Sequence, residues 1–63
     1  HMMKVWKITV FNTETNQEES FLVQAPYEGP KIIEILAEVH PEYENIHAKK
    51  TKKPPGMKIW DDQ

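Results

Sequence analysis

GPKIIEILAEVHP, from Gly29 to Pro41, decides the fold of this 63-residue chain. No other segment combines a helical period with a start signal and a stop signal. Gly29 and Pro30 suit an N-cap and a first helical position, because proline's missing N–H would be unsatisfied there anyway and its φ is already helical. Pro41 ends the helix and pushes His40 towards an extended conformation. At about 100° per residue, Ile32, Ile35, Leu36 and Val39 fall on one side, with Ile33 and Ala37 widening it. Lys31, Glu34 and Glu38 gather on the opposite side. The spacing predicts a helix lying on an apolar surface.

Two strands precede it. In KVWKITVFN, Lys4 to Asn12, Trp6, Ile8 and Val10 share one face while Val5, Lys7, Thr9 and Phe11 share the other. NTETNQ, Asn12 to Gln17, holds nothing apolar and several residues whose side chains bond their own backbone, which predicts an exposed hairpin loop. From Glu18 to Ala25 the alternation resumes, with Phe21, Val23 and Ala25 on one face and Ser20, Leu22 and Gln24 on the other. Pro26 closes this second strand, and Glu28 places a negative charge where a helix N-terminus favours one. Beyond Pro41 a short connection, Glu42 to Asn45, leads to a third strand, Ile46 to Lys53, that turns Ile46 and Ala48 inward.

These elements predict an α+β fold: a two-layer β-β-α-β domain with a three-stranded antiparallel sheet in the order 2-1-3 and one helix across one face. Residues 1–63 read as a single domain. His1-Met2 has the character of a cloning remnant, Pro54-Pro55-Gly56 turns the backbone, and Met57 to Trp60 is expected either as a short fourth strand or as a cover over the outer face of the sheet.

Composition narrows the function. A chain this short buries only about 60% of the surface its unfolded form exposes, so stability should be modest or assisted by oligomerisation. There is no cysteine and no disulfide framework, which fits a reducing cytoplasm. No apolar run approaches the roughly 20 residues of a membrane helix. The net charge is −2, unevenly spread: residues 1–48 hold three lysines against eight glutamates, and residues 49–63 hold five lysines against two aspartates. All cations are lysines, and the lack of arginine argues against bidentate reading of phosphate or guanine.

Catalytic chemistry has little to build on. Ser20 is the only serine, and Asp61 and Asp62 are the only aspartates. Glu34 and Glu38 have the spacing of a carboxylate pair but belong to the solvent side of the helix beside Lys31, where no cleft perturbs them. His40 and His47 have no third ligand at metal-site spacing, and no glycine-rich loop is available for a phosphate. The expectation is a protein that is not an enzyme, with no cofactor, no metal and no small-molecule substrate.

The outer face of the sheet is more informative. With the helix covering the inner face, Val5, Phe11 and Leu22 are left beside Lys7, Thr9, His47, Lys49 and Thr51, and apolar residues rimmed by polar ones mark a contact surface. Phe11, Leu22, His47, Lys49, Thr51 and Trp60 are therefore the expected partner-binding residues, with Trp60 as a hot spot or as the anchor of the cover. The partner is an acidic protein or a second copy of the chain. The alternative is weak nucleic-acid binding through Lys49, Lys50, Lys52, Lys53 and Lys58. Against it stands the use of edge-strand lysines to prevent sheets from joining.

The order of VWKITV, a polar hairpin, ESFLVQA, one amphipathic helix and IHAKKTKK resembles very small phage and mobile-element proteins, including the short inhibitors that lytic phages direct against host RNA polymerase. That resemblance implies a cytoplasmic, host-directed binder presenting Lys49 and Thr51 to an acidic polymerase surface. Lysine and threonine stand here where that pattern carries arginines.

Overall fold

The computed structural model describes residues 3–52. Three strands, β1 (Lys4–Asn12), β2 (Gln17–Ala25) and β3 (Tyr43–Thr51), form an antiparallel sheet in the order β2-β1-β3, and α1 (Gly29–Val39) joins β2 to β3. This is the expected β-β-α-β layout. The fourth strand or cover expected at Met57 to Trp60 lies outside the described residues.

β1 is the central strand and supplies most of the core. Trp6, Ile8 and Val10 are buried on its inner face with Ile32 from α1, and Phe21, Val23, Leu36, Tyr43, Ile46 and Ala48 pack around them. Ile8 is fully buried. Directly opposite residues on neighbouring strands share a face, so the pairs Trp6 with Val23 and Ile8 with Phe21 extend this inner surface across β2.

Polar groups fix the turns. Asn12 is buried at the end of β1, where its Oδ1 accepts from the backbone N–H groups of Glu14 (2.9 Å) and Thr15 (3.3 Å) and its Nδ2 donates to Glu19 (3.2 Å). This Asx arrangement lets Asn16 take a left-handed φ of 59° and bring the chain round into β2. Thr13 then ties the hairpin to the start of β3, its N–H and Oγ1 both donating to the Glu42 carbonyl at 2.8 Å.

Four sequence expectations change. The N-cap is Glu28 rather than Gly29, because the Glu28 carbonyl already accepts from Lys31 and Ile32, both at 3.1 Å. The Glu28 carboxylate does not cap the helix and instead pairs with Lys4 at 2.9 Å. The third strand starts at Tyr43 instead of Ile46. A bulge places Asn45 and Ile46 together opposite Val10, with Asn45 at φ 52°, so that Tyr43 and Ile46 both turn inward despite their odd spacing. Val39, expected on the buried face of the helix, is 64% exposed. Tyr43 fills that end of the core, stacked on His40 (4.5 Å between centroids) and tilted against Phe21 (6.0 Å). Finally, Val5 does belong to the outer face, in the row of Gln24 and Thr51, but it is only 4% exposed and not open.

α1 is not centred on the sheet. It lies nearest β3 and stands away from β2. Ile32, Ile35 and Leu36 therefore face Val23, Ala25 and Tyr27 across an open groove of about 130 Å³.

Candidate partner-binding face

The pairing registers build the outer face row by row. Gln24, Val5 and Thr51 form one row, and Leu22, Lys7 and Lys49 form the next. Ser20, Thr9 and His47 follow, and then Glu18, Phe11 and Glu44. Phe11, Leu22, His47, Lys49 and Thr51 thus share one surface, as the alternation predicted. Leu22 is 43% exposed; His47, Lys49 and Thr51 are exposed, and Phe11 is half-buried. Trp60 lies outside the described residues.

Two features of this face depend on the register. Lys7 stands directly opposite Lys49, and neither has an acidic partner among the described residues. Like charges directly opposite on adjacent strands repel. At the other end, Phe11 is flanked by Glu18 and Glu44. The face is therefore basic in its second row and acidic in its fourth, with the hydroxyls of Thr9 and Ser20 (3.5 Å apart) between them.

The lysine run does not form one stripe. Lys49 is on the outer face, whereas Lys50 is opposite Trp6 on the inner one. There Lys50 belongs to a different charge cluster: the hydrogen bond and charge of Lys4 hold the Glu28 carboxyl below its usual range, and Lys50 adds to that effect. Lys52 is exposed, and Lys53 and Lys58 lie outside the described residues.

The other ionisable groups are dispersed. Lys31 pairs with Glu34 at 3.5 Å on the exposed side of α1. His40 Nδ1 lies 2.9 Å from Glu42, whose carboxyl is held low by a backbone hydrogen bond and then by His40. His47 projects from the outer face, away from that pair. Among the described residues no three histidine, aspartate or glutamate side chains gather as a metal site. Likewise, no described helix is long and apolar enough to cross a membrane.

No family model, curated protein or solved structure matches this chain.

Proposed function

We propose that this protein is a small, non-enzymatic interaction module whose outer sheet face docks on an acidic protein surface. The observation that carries this reading is the Lys7–Lys49 pair beside exposed Leu22. Two lysines directly opposite on adjacent strands weaken the isolated sheet, and a carboxylate brought between them relieves the repulsion. Leu22 and Phe11 add apolar area, while His47 and Thr51 supply polar rim contacts. The layout resemblance to small phage inhibitors supports a host-directed role in the cytoplasm.

The test is a titration of isotope-labelled protein with an acidic probe, a glutamate-rich peptide containing leucine and phenylalanine. Shifts centred on Lys7, Leu22, His47 and Lys49, weakening with salt and lost in Lys7→Glu/Lys49→Glu, are expected. Shifts elsewhere, or an unchanged response in the double variant, reject the reading. A parallel titration with single-stranded DNA and RNA addresses the alternative, for which shifts at Lys49, Lys50 and Lys52 together are expected.

A second reading, self-association, is favoured by the acidic row around Phe11. Turning one copy about an axis along the Thr9 row lays the Leu22–Lys7–Lys49 row over the Glu18–Phe11–Glu44 row of the other, with Lys49 over Glu44 and Lys7 over Phe11 between the two glutamates, giving a self-complementary contact. Solution mass over a range of concentrations distinguishes it, since this dimer should dissociate in salt.

A further inference from the structure

The two edges of the sheet are built differently. β3 carries Lys49 and Lys50 and is interrupted by the bulge at Asn45, both devices that discourage a further strand from joining. β2 has neither. Its nine residues, QEESFLVQA, contain no proline and no lysine, and they pair with β1 without a register shift. Its outward backbone groups face no other strand among the described residues.

Beside this open edge is the groove between β2 and α1, lined by Val23, Ala25, Tyr27, Ile32, Ile35 and Leu36. Edge and groove adjoin because the offset of α1 towards β3 leaves the inner side of β2 only partly covered, with Val23 and Ala25 half-buried. A strand added at an edge places alternate side chains on the two faces. Those on the inner face would enter the groove beside Val23 and Ala25. The charges also select an occupant: Glu18 lies exposed on the outer face of the strand and Glu14 in the turn before it, Glu19 faces inward to Asn12 and Thr15, and β2 carries no cation.

From this we infer that β2 accepts an extended basic peptide of another protein, which adds to the sheet antiparallel or parallel to β2. Its alternate apolar side chains fill the groove, and its lysines or arginines, projecting on the outer face, meet Glu18 and the acidic turn before it. Backbone hydrogen bonds provide the affinity and the groove provides the side-chain preference, the division of labour in strand addition. This surface is separate from the Lys7–Lys49 face and has the opposite charge preference, so the two proposals stand or fall independently.

The probe is an acetylated, amidated nine-residue peptide alternating valine and lysine, titrated into isotope-labelled protein. Binding with a Kd below about 1 mM is expected, together with slowed amide exchange confined to alternate residues of β2 and shifts at Ile35 and Leu36. Replacing the peptide's lysines by glutamate should weaken binding by about tenfold or more, as should Ile35→Lys. Should Ile35→Lys fail to fold, N-methylation of alternate peptide bonds tests the same mode without altering the protein, and must abolish the protection. Absence of binding at millimolar peptide overturns the inference, as do shifts confined to the Lys7–Lys49 face or indifference to N-methylation. Protection of β2 without peptide also overturns it: dependence on protein concentration would assign the edge to a second copy, and independence would assign it to residues 53–63 of the same chain.

Discussion

The indole of Trp6 lies so close to Gly29 that a methyl group added at the glycine would meet Cζ3 at 3.3 Å and Cη2 at 3.4 Å. The ring has little freedom to retreat, because its Nε1 donates to the Tyr27 carbonyl at 3.0 Å. Gly29→Ala should therefore destabilise the domain by about 1 kcal/mol despite alanine's better helix propensity. Trp6→Phe removes both the crowding and the hydrogen bond. The two substitutions together should cost less than the sum of their separate effects in urea unfolding, and strict additivity would show that the contact carries no strain.

Asn12 holds the hairpin through three side-chain hydrogen bonds. Asn12→Ala removes the acceptor of the Glu14 and Thr15 N–H groups in the turn and should cost about 1 kcal/mol. Asn16→Gly, at φ 59°, should change stability by less than about 0.5 kcal/mol, whereas Asn16→Val should cost about 1 to 2 kcal/mol. A thermal melt in which Asn16→Gly is as damaging as Asn12→Ala or Asn16→Val would refute the Asx account of the turn.

Glu28 and Glu42 both titrate below their ordinary value of 4.5, Glu28 because of Lys4 and Glu42 because of a backbone hydrogen bond and His40. A depressed carboxylate pKa means that the unfolded chain takes up protons first as the pH falls. Stability from these groups is therefore complete above the ordinary carboxylate range and is lost progressively below it. Urea midpoints measured from about pH 6 to pH 3 should fall less steeply in Glu28→Gln/Glu42→Gln than in the parent. The difference should shrink in high salt, since both groups are at the surface.

Lys49 separates folding from binding. Lys49→Glu replaces a like-charge pair across the strands with an opposite-charge pair facing Lys7, and should stabilise the isolated domain by about 0.5 kcal/mol at low salt. The same change should weaken binding of the acidic probe. A variant that became less stable while losing binding would point to a structural role for Lys49.

The first strand, the helix and the 2-1-3 order were legible because each rests on a local pattern: alternation from Lys4 to Asn12, and a helical period bounded by Gly29-Pro30 and Pro41. The start of the third strand was not. Tyr43 and Ile46 both face the core at a spacing that no regular strand permits, and the Asn45 bulge that reconciles them leaves no sign in simple alternation. Val39 has the right helical phase but is displaced by an aromatic stack formed after the helix ends. The outer face was readable strand by strand, which found Phe11, Leu22, His47, Lys49 and Thr51 together. That Lys7 opposes Lys49 and that Glu18 and Glu44 bracket Phe11 are facts of register, set between segments distant in the sequence. The groove beside β2 was equally hidden, since it depends on where across the sheet α1 comes to rest.

β1 is first in sequence and central in space, and this imposes an order on synthesis. A ribosome delivers β1 and β2 early enough to form the hairpin, but the pairing of β1 with β3 waits until α1 and Thr51 have cleared the exit tunnel. Until then Trp6, Ile8 and Val10 have only one flanking strand. Until β3 arrives the nascent chain carries an apolar ribbon that its own hairpin leaves uncovered, and completion of the fold is governed by the pairing of β3 with β1.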